Sequence, residues 1–233
     1  MCFDSNLKKQ LPNHVAFIMD GNRRWAKKKK LKIIDGHKKG SEIVKKIVKK
    51  SLEFNIKYLT FFSFSTENWS RSKDEILNLQ TLLSFYLDSE EEHFIKKRIK
   101  FSFIGEIEKF DFQIKSKLKS LQVRTKSFNK LHFTLALSYG SRSEIVNSIK
   151  KINKNINLLT ESDISKSLMT KDIPDPDFVI RTSGEMRLSN FLLWQVAYSE
   201  LYFTKTLWPE FNNHKYILAL KNYINRKRRF GGD

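Results

Sequence analysis

The sequence predicts an α/β fold in a single domain, with a central, mostly parallel sheet flanked by helices. Short apolar runs alternate with longer amphipathic segments along the whole chain. The runs are apolar at nearly every position, which is typical of parallel strands covered on both faces. The 233 residues contain no repeat, linker or break in composition, so one core is expected. The predicted domain therefore spans residues 1–233.

Each element follows from a local pattern. Apolar runs ended by turn residues predict strands over residues 14–19, 58–65, 99–104, 131–139, 178–182 and 201–204. Amphipathic segments predict helices over residues 22–30, 40–52, 74–98, 110–127, 143–153, 161–169 and 214–228, and residues 66–73 form a polar turn. From residue 40 onward, Ile43, Val44 and Ile47 recur at helical spacing while lysines fill the opposite face. Ser143 is expected to cap the helix that it begins.

Composition excludes several classes of protein. The single cysteine, Cys2, excludes an internal disulfide framework, and no group of Cys and His has the spacing of zinc ligands. The first residues contain no apolar signal core, and the apolar runs are far shorter than the roughly 20 residues of a spanning helix. We therefore expect a cytoplasmic protein, with a contact at the inner face of the membrane left open.

The net charge of +19 is compatible with nucleic acid, an anionic membrane surface or phosphorylated substrates as partners. Many of the lysines can equally be solvated surface residues. Arginine is more informative, because its planar fork suits bidentate contacts to phosphate. Most arginines fall into four groups: Arg23, Arg24 and Arg71; Arg142; Arg181 and Arg187; and Arg226, Arg228 and Arg229. This grouping favours phosphorylated substrates, with chance clustering and structural ion pairs as the alternative.

The first polar motif, DGNRRWA at residues 20–26, begins where the first strand ends. Ligands of open α/β sheets bind outside the carboxyl ends of strands, and the start of a helix offers free N–H groups to a diphosphate. Arg24 adds a fork for phosphate oxygens, and Asp20 can hold Mg²⁺, which prefers oxygen ligands. A helix-capping aspartate beside surface arginines remains the alternative.

Three further motifs and the tail carry polar groups that suit a binding site. GHKKG at residues 36–40 is placed at the start of a helix, where His37 could contact a phosphate or relay a proton, although a lone histidine is more often structural. SFSTENWSR at residues 63–71 mixes polar and aromatic groups after a strand, as a site for an amphiphile would. IRTSGEMRLSN at residues 180–190 resembles a second anion cradle, and the basic tail from residue 226 reads as a solvated end.

Taken in order, the blocks HVAFIMDGNRRWA, GHKKG, FSFSTENWSR, IRTSGEMRLSNFLLWQVAYSELYFT, LWPEF and NRKRRFGG resemble the motifs of the cis-prenyltransferase family over nearly the whole chain. The resemblance implies a homodimeric α/β enzyme that uses Mg²⁺ and lacks the DDxxD motif, and the sequence contains no DDxxD. The implied reaction adds isopentenyl diphosphate to an allylic diphosphate, farnesyl diphosphate being expected, with formation of cis double bonds. The expected product is a long-chain polyprenyl diphosphate such as undecaprenyl diphosphate, a cell-wall lipid carrier, and a different product length is the alternative.

The resemblance also implies roles by position. The catalytic residues would be Asp20, His37, Ser65 and Asn68, and the metal residues would be Asp20 and Glu200. The substrate-binding residues would be Gly21, Asn22, Arg23, Arg24, Trp25, Trp69, Arg71, Glu75, Arg181, Arg187, Ser189 and Arg229. Arg229, in the tail, is expected to reach the active site of the other subunit, which replaces the reading of the tail as a solvated end.

Two rival functions are weighed against this one. A nucleic-acid-binding module should carry a recognisable motif with base-stacking aromatics, and the sequence has none. A non-catalytic subunit of a heteromeric enzyme should lack the metal-binding acid, whereas Asp20 is present. The growing chain also needs an apolar tunnel, expected from the helices at residues 40–52 and 74–87 together with Leu135 and Leu137. These residues read equally well as ordinary core.

Overall fold

Six parallel strands form one sheet in the computed structural model, which describes residues 8–226. The strands are β1 (His14–Ile18), β2 (Tyr58–Ser65), β3 (Ile99–Ile104), β4 (Leu131–Tyr139), β5 (Phe178–Arg181) and β6 (Glu200–Phe203). They lie in the order β3-β4-β2-β1-β5-β6, and each neighbouring pair is parallel. All six predicted strands are confirmed, and the sheet of the described residues is wholly parallel rather than mostly so.

Helices follow the strands of this sheet. They are α1 (Asn22–Lys28), α2 (Ile33–Glu53), α3 (Lys73–Lys96), α4 (Phe112–Thr125), α5 (Ser141–Lys151), α6 (Glu161–Ser167) and α7 (Asn213–Ile224), with a short 3₁₀ helix at Thr66–Ser70. Along β1, Val15 and Phe17 belong to the larger hydrophobic cluster, whereas Ala16 and Ile18 belong to the smaller one. Because side chains of a strand alternate between faces, the sheet separates two cores. Between residues 8 and 226, no helix is long and apolar enough to cross a membrane.

Helix α2 begins at Ile33 rather than at residue 40, so the GHKKG motif lies inside the helix and not at its start. Its two glycines lie against α1. A Cβ at Gly36 would lie 2.2 Å from the carbonyl oxygen of Asn22, and one at Gly40 would lie 2.5 Å from Asn22 Oδ1. The glycines therefore permit the close packing of α2 on α1, which any larger side chain would prevent.

Two other boundaries correct the sequence-based predictions. Helix α5 begins at Ser141, and Ser143 does not cap it, because the residue before the helix is Gly140. The first amide of the helix, that of Ser141, donates instead to the carbonyl oxygen of Asn190 at 2.8 Å. The last helix, α7, ends at Ile224, whereas the predicted helix continued to residue 228.

Candidate active site

Asp20 lies just beyond the carboxyl end of β1, in the middle of the sheet, between two arginines. Its Oδ2 accepts hydrogen bonds from Arg181 Nη2 at 3.0 Å and from Arg24 Nη2 at 3.1 Å. Burial alone would raise the pKa of Asp20, but hydrogen bonds from Ser183 and Arg181, together with the charges of Arg24 and Arg181, lower this pKa below its ordinary value. Asp20 is therefore a carboxylate at neutral pH.

Arg181 connects Asp20 to the loop that follows β5. Its residue is only 4% exposed. Its Nη1 donates to the carbonyl oxygen of Arg187 and to Ser189 Oγ, the latter at 2.7 Å. Its Nε is buried and has no hydrogen-bond partner among residues 8–226. Because buried polar atoms are rarely left unpaired, this atom indicates that a ligand completes the site.

The loop after β5 has an unusual backbone. Four of its non-glycine residues adopt left-handed conformations, with φ of 83° at Ser183, 50° at Ser189, 63° at Asn190 and 47° at Leu192. Such conformations are unfavourable for L-residues and concentrate at functional sites. The fold thus holds the segment that carries Arg187 and Ser189 in a constrained shape.

Glu185 joins the two arginines that the sequence placed in separate anion-binding motifs. Arg24 Nη1 lies 3.2 Å from Glu185 Oε1, and Arg187 Nη1 lies 2.5 Å from Glu185 Oε2. The start of α1 and the loop after β5 therefore form one continuous charged surface. Nothing local in the sequence distinguishes Glu185 from a solvated acid, so no role could be predicted for it.

His37 lies near a second cluster of ion pairs, formed by Glu75, Arg71 and Arg23. Glu75 of α3 binds Arg71 at 2.9 Å and Arg23 at 3.5 Å. Burial first, and then the charges of Arg71 and Arg23, lower the pKa of His37 to about 4. The imidazole is therefore neutral at pH 7, and its buried Nε2 has no hydrogen-bond partner in the described part of the chain. It is available to a bound molecule.

Trp69 packs against the neighbouring strand ends. Its Nε1 donates to Ser138 Oγ at 2.8 Å, and its ring lies 4.9 Å from Phe64 and 5.1 Å from Phe110, between ring centroids. These contacts anchor the 3₁₀ helix that carries Asn68. Trp69 thereby holds a loop of the site in place, without lining the cavity described next.

A cavity of about 320 Å³ joins the polar groups to the apolar interior. Eight of the predicted site residues line it: Asp20, Asn22, His37, Ser65, Asn68, Arg71, Arg181 and Ser189. Its apolar part lies between α2, α3 and β4, where Val44, Leu79, Leu83, Tyr86, Leu135 and Leu137 form the wall. The two helices and both strand leucines that were expected to line a tunnel therefore line this cavity.

Other predicted residues lie outside the cavity wall. Gly21, Arg23, Arg24, Trp25, Glu75 and Arg187 do not line it. Gly21, with φ of 111°, turns the chain from β1 into α1, a conformation that glycine adopts freely. Arg229 lies outside the described residues.

Glu200 is not close to Asp20 within the chain. Glu200 begins β6 and is level with Phe178, which is level with Val15 near the start of β1. Asp20 follows the opposite end of β1, about 16 Å away along the strand direction at the usual rise per residue. Glu200 instead binds Arg226 at 2.7 Å. The expectation that both acids support one metal is therefore not met inside a single chain.

The residues present fit a divalent metal that is shared with a substrate. Within residues 8–226, no group of three or more Asp, Glu, His or Cys could hold a metal by itself. Mg²⁺, however, is commonly bound by one or two carboxylates together with substrate phosphates and water. A single ionised Asp20 next to two arginines meets that requirement.

Comparison with known proteins agrees with this geometry. The sequence model described as "Putative undecaprenyl diphosphate synthase" matches residues 18–231. The chain is 46% identical to an isoprenyl transferase of Thermotoga maritima over 228 residues, covering 96% of this chain and 98% of that protein. An isoprenyl transferase of Fusobacterium nucleatum is 44% identical over 227 residues, covering 97% and 98%.

Two solved structures of prenyl diphosphate synthases also have the fold of this chain. Lavandulyl diphosphate synthase from Lavandula x intermedia, in complex with dimethylallyl diphosphate, superposes with a TM-score of 0.93 at 33% identity, covering 96% of this chain and 100% of that one. A "probable undecaprenyl diphosphate synthase" from Campylobacter jejuni superposes with a TM-score of 0.81 at 34% identity, covering 95% and 99%. The chain therefore belongs to the undecaprenyl diphosphate synthase family of cis-prenyltransferases, enzymes that use a divalent metal.

Proposed function

We propose that this enzyme condenses isopentenyl diphosphate with farnesyl diphosphate, forms cis double bonds, and makes undecaprenyl diphosphate for a cell-wall lipid carrier. One observation carries the proposal: a single cavity is lined both by the charged groups of Asp20 and Arg181 and by the apolar side chains of Leu83, Leu135 and Leu137. An allylic diphosphate has the same division, with a charged head and an apolar chain. The cavity therefore suits this substrate class at both ends.

The allylic diphosphate is assigned to the start of α1. Arg24 and Arg23 supply cations there, and the backbone of Gly21 and Asn22 lies beside them, with Trp25 in the same turn. Asp20 would hold Mg²⁺ together with diphosphate oxygens, and the bound ion would neutralise charge on the leaving diphosphate. The apolar chain would extend between α2 and α3.

The isopentenyl diphosphate is assigned to the loop after β5. Arg181 at the end of β5 presents one guanidinium group, Arg187 and Ser189 in the loop present another and a hydroxyl, and Arg71 also lines the cavity. Guanidinium groups bind phosphate oxygens bidentately, and fixed cations stabilise the developing negative charge best where water is excluded. The arginines thereby orient both diphosphates around the reacting carbons.

The condensation breaks the C1–O bond of the allylic substrate, whose electron pair leaves with the diphosphate. The double bond of isopentenyl diphosphate forms the new C–C bond at C1, and a proton is then lost from its C2. His37, with a pKa of about 4, is a weak base, so we assign it to a hydrogen bond from its neutral ring, with Ser65 and Asn68 beside it. The released diphosphate and Asp20 are the remaining candidates for the proton acceptor.

A product of a different length is the alternative. The apolar part of the cavity lies between α2 and α3, so the space between these helices should limit the length of the chain.

The proposed functional unit is a homodimer in which Arg229 completes the isopentenyl diphosphate site of the other subunit. We place the enzyme in the cytoplasm, at the inner face of the membrane that receives its product. Sedimentation of the purified protein tests the dimer, and loss of condensation in Arg229→Ala without a change in sedimentation supports the role of the tail.

Product analysis tests the reaction. The purified enzyme is incubated with farnesyl diphosphate, labelled isopentenyl diphosphate and MgCl₂, and the products are separated by chain length and identified by mass spectrometry. We expect undecaprenyl diphosphate, and chelation of the metal should abolish its formation. Products of another chain length would support the alternative product. Failure to extend any allylic diphosphate would refute the proposed function for either product length.

A further inference from the structure

Asn190, in the loop after β5, bonds to segments that follow two other strands. It comes directly after Ser189 in the loop that follows β5. Its Oδ1 accepts a hydrogen bond from the Arg142 amide at 2.9 Å, and its carbonyl oxygen accepts one from the Ser141 amide at 2.8 Å, both at the start of α5 after β4. Its Nδ2 donates to Glu67 Oε1 at 3.2 Å, in the 3₁₀ helix after β2. One residue therefore fixes three segments at the same edge of the sheet.

The local structure is built for an asparagine. The φ of Asn190 is 63°, a left-handed conformation that asparagine tolerates better than most residues. Helix α5 has no side-chain cap of its own, so Asn190 satisfies its first two amides. Gly140 leaves space for this contact, since a Cβ there would lie 2.8 Å from Asn190 Nδ2 and 2.8 Å from Thr66 Oγ1.

The Asn190–Glu67 hydrogen bond spans two walls of the cavity. Ser189, which precedes Asn190, lines one wall, and Asn68, which follows Glu67, lines the other. Burial would raise the pKa of Glu67, but hydrogen bonds from its own backbone, Ser65, Asn190 and Thr66 lower it, so Glu67 is an ionised acceptor. The bond thus runs from an amide donor on one loop to a carboxylate on the other.

We propose that Asn190 is a positioning residue that couples the loop after β5 to the 3₁₀ helix at Thr66–Ser70. Through Glu67 it holds Ser189 and Asn68 at the separation that isopentenyl diphosphate requires. This inference rests on the proposed function, which assigns that substrate to the loop after β5. Asn190 itself is not a wall residue of the cavity, so its effect is transmitted through its neighbours.

Exchange of donor and acceptor tests the coupling. Asn190→Asp keeps the shape and the acceptor for the Arg142 amide, but it places one carboxylate against another. Glu67→Gln keeps an acceptor for Asn190 and serves as the mild single variant. The double variant Asn190→Asp with Glu67→Gln restores the bond with its polarity reversed, because the introduced glutamine amide donates to the introduced carboxylate.

A second asparagine provides a matched control. Asn147 Nδ2 donates to Glu106 Oε1 at 3.2 Å, the same pairing at the same distance, and neither residue lines the cavity. Asn147→Asp therefore makes the same chemical change at a site that should not affect substrate binding. Thermal unfolding of every variant reports any general loss of stability.

We expect Asn190→Asp to raise the KM for isopentenyl diphosphate, and its dissociation constant by calorimetry, about tenfold, as loss of a hydrogen bond to a charged group would. The KM for the allylic substrate should change less than twofold. The double variant should return to within threefold of wild type, and both Glu67→Gln and Asn147→Asp should stay within twofold. A purely structural role would lower the melting temperature and kcat without this selective change and without rescue.

Two results would overturn the inference alone: an Asn190→Asp enzyme with unchanged affinity for isopentenyl diphosphate, or a double variant that does not recover. Wild-type enzyme that binds isopentenyl diphosphate but forms no product would refute the proposed function and leave the coupling to be judged by calorimetry. Wild-type enzyme that does not bind this substrate would overturn both.

Discussion

Asp20 and Arg181 form an ion pair of 3.0 Å between the ends of the neighbouring strands β1 and β5. The Arg181 side chain is 5% exposed, so little water screens the pair. Before any metal binds, the carboxylate proposed to hold it is thus paired with the cation of Arg181, which is assigned to the isopentenyl diphosphate site. Chemistry at Asp20 and the shape of the loop after β5 are therefore linked through Arg181, and also through Arg24, which binds both Asp20 and Glu185.

Asp20→Asn should lower kcat at least a thousandfold in the presence of Mg²⁺, because the amide keeps the shape but loses the charge that holds the metal. The free energy of unfolding should fall by about 1–3 kcal/mol, since Arg181 loses its charged acceptor. Steady-state kinetics and urea unfolding measure the two effects. Asp74→Asn, in the first turn of α3, is the control, and an Asp20→Asn enzyme within tenfold of wild-type turnover would contradict the assignment.

Arg187→Ala should mainly raise the KM for isopentenyl diphosphate, and Arg24→Ala should mainly raise the KM for the allylic substrate. Each change removes a bidentate contact to one diphosphate and should raise the corresponding KM about tenfold or more. Because both arginines contact Glu185, we expect a smaller effect of each variant on the other substrate. Measuring the rate of each variant against the concentration of each substrate gives the two KM values separately. If Arg187→Ala mainly raised the KM for the allylic substrate and Arg24→Ala that for isopentenyl diphosphate, the two sites would be assigned the wrong way round.

Leu83→Phe should shorten the product, because Leu83 lines the apolar part of the cavity and a larger ring there would obstruct the growing chain. The rate of the first condensation should change little. Leu77→Phe, on the same helix but 65% exposed, is the matched control and should leave the product unchanged. Mass spectrometry measures the product length of each variant. Equal lengths in both variants would mean that the chain does not grow past Leu83.

Acid should destabilise the fold through His14, which is 1% exposed. Burial lowers the pKa of His14 from 6.5 to about 4, outweighing the Pro174 hydrogen bond and the Asp177 charge that raise it. The unfolded chain therefore takes up the proton at higher pH than the folded chain. The stabilisation is complete above pH 6.5 and is lost as the pH falls towards 4, by about 1.4 kcal/mol for each pH unit.

Urea unfolding between pH 7 and pH 4.5 measures this effect. His14→Gln should give a smaller loss of stability on acidification than the wild type, because the titrating group is gone. The exposed His214 provides the control, and His214→Gln should follow the wild-type curve. Parallel curves for all three proteins would exclude His14 as a source of acid sensitivity.

The sequence was sufficient to predict those features of the fold and the site that depend on neighbouring residues. Each strand was predictable because a run of apolar residues ended at a turn, and the ends of β1, β2 and β5 placed the polar motifs at one edge. The start of α2 was not predictable, because glycines and lysines in its first turns hide the apolar period. The pairs Arg24–Glu185 and Asn190–Glu67 join residues 161 and 123 positions apart, so no local signal could reveal them.

The left-handed backbone of Ser183, Ser189, Asn190 and Leu192 has a consequence for anyone who wishes to make the enzyme heat-resistant. Each such residue is about 1 kcal/mol less favourable in this backbone conformation than a glycine would be. Replacement by glycine would nevertheless cost more than it gains, because Asn190 would lose its side-chain hydrogen bonds and Leu192, which is 1% exposed, would leave a void in the core. Heat-resistant variants should therefore be sought in the helices rather than in this loop.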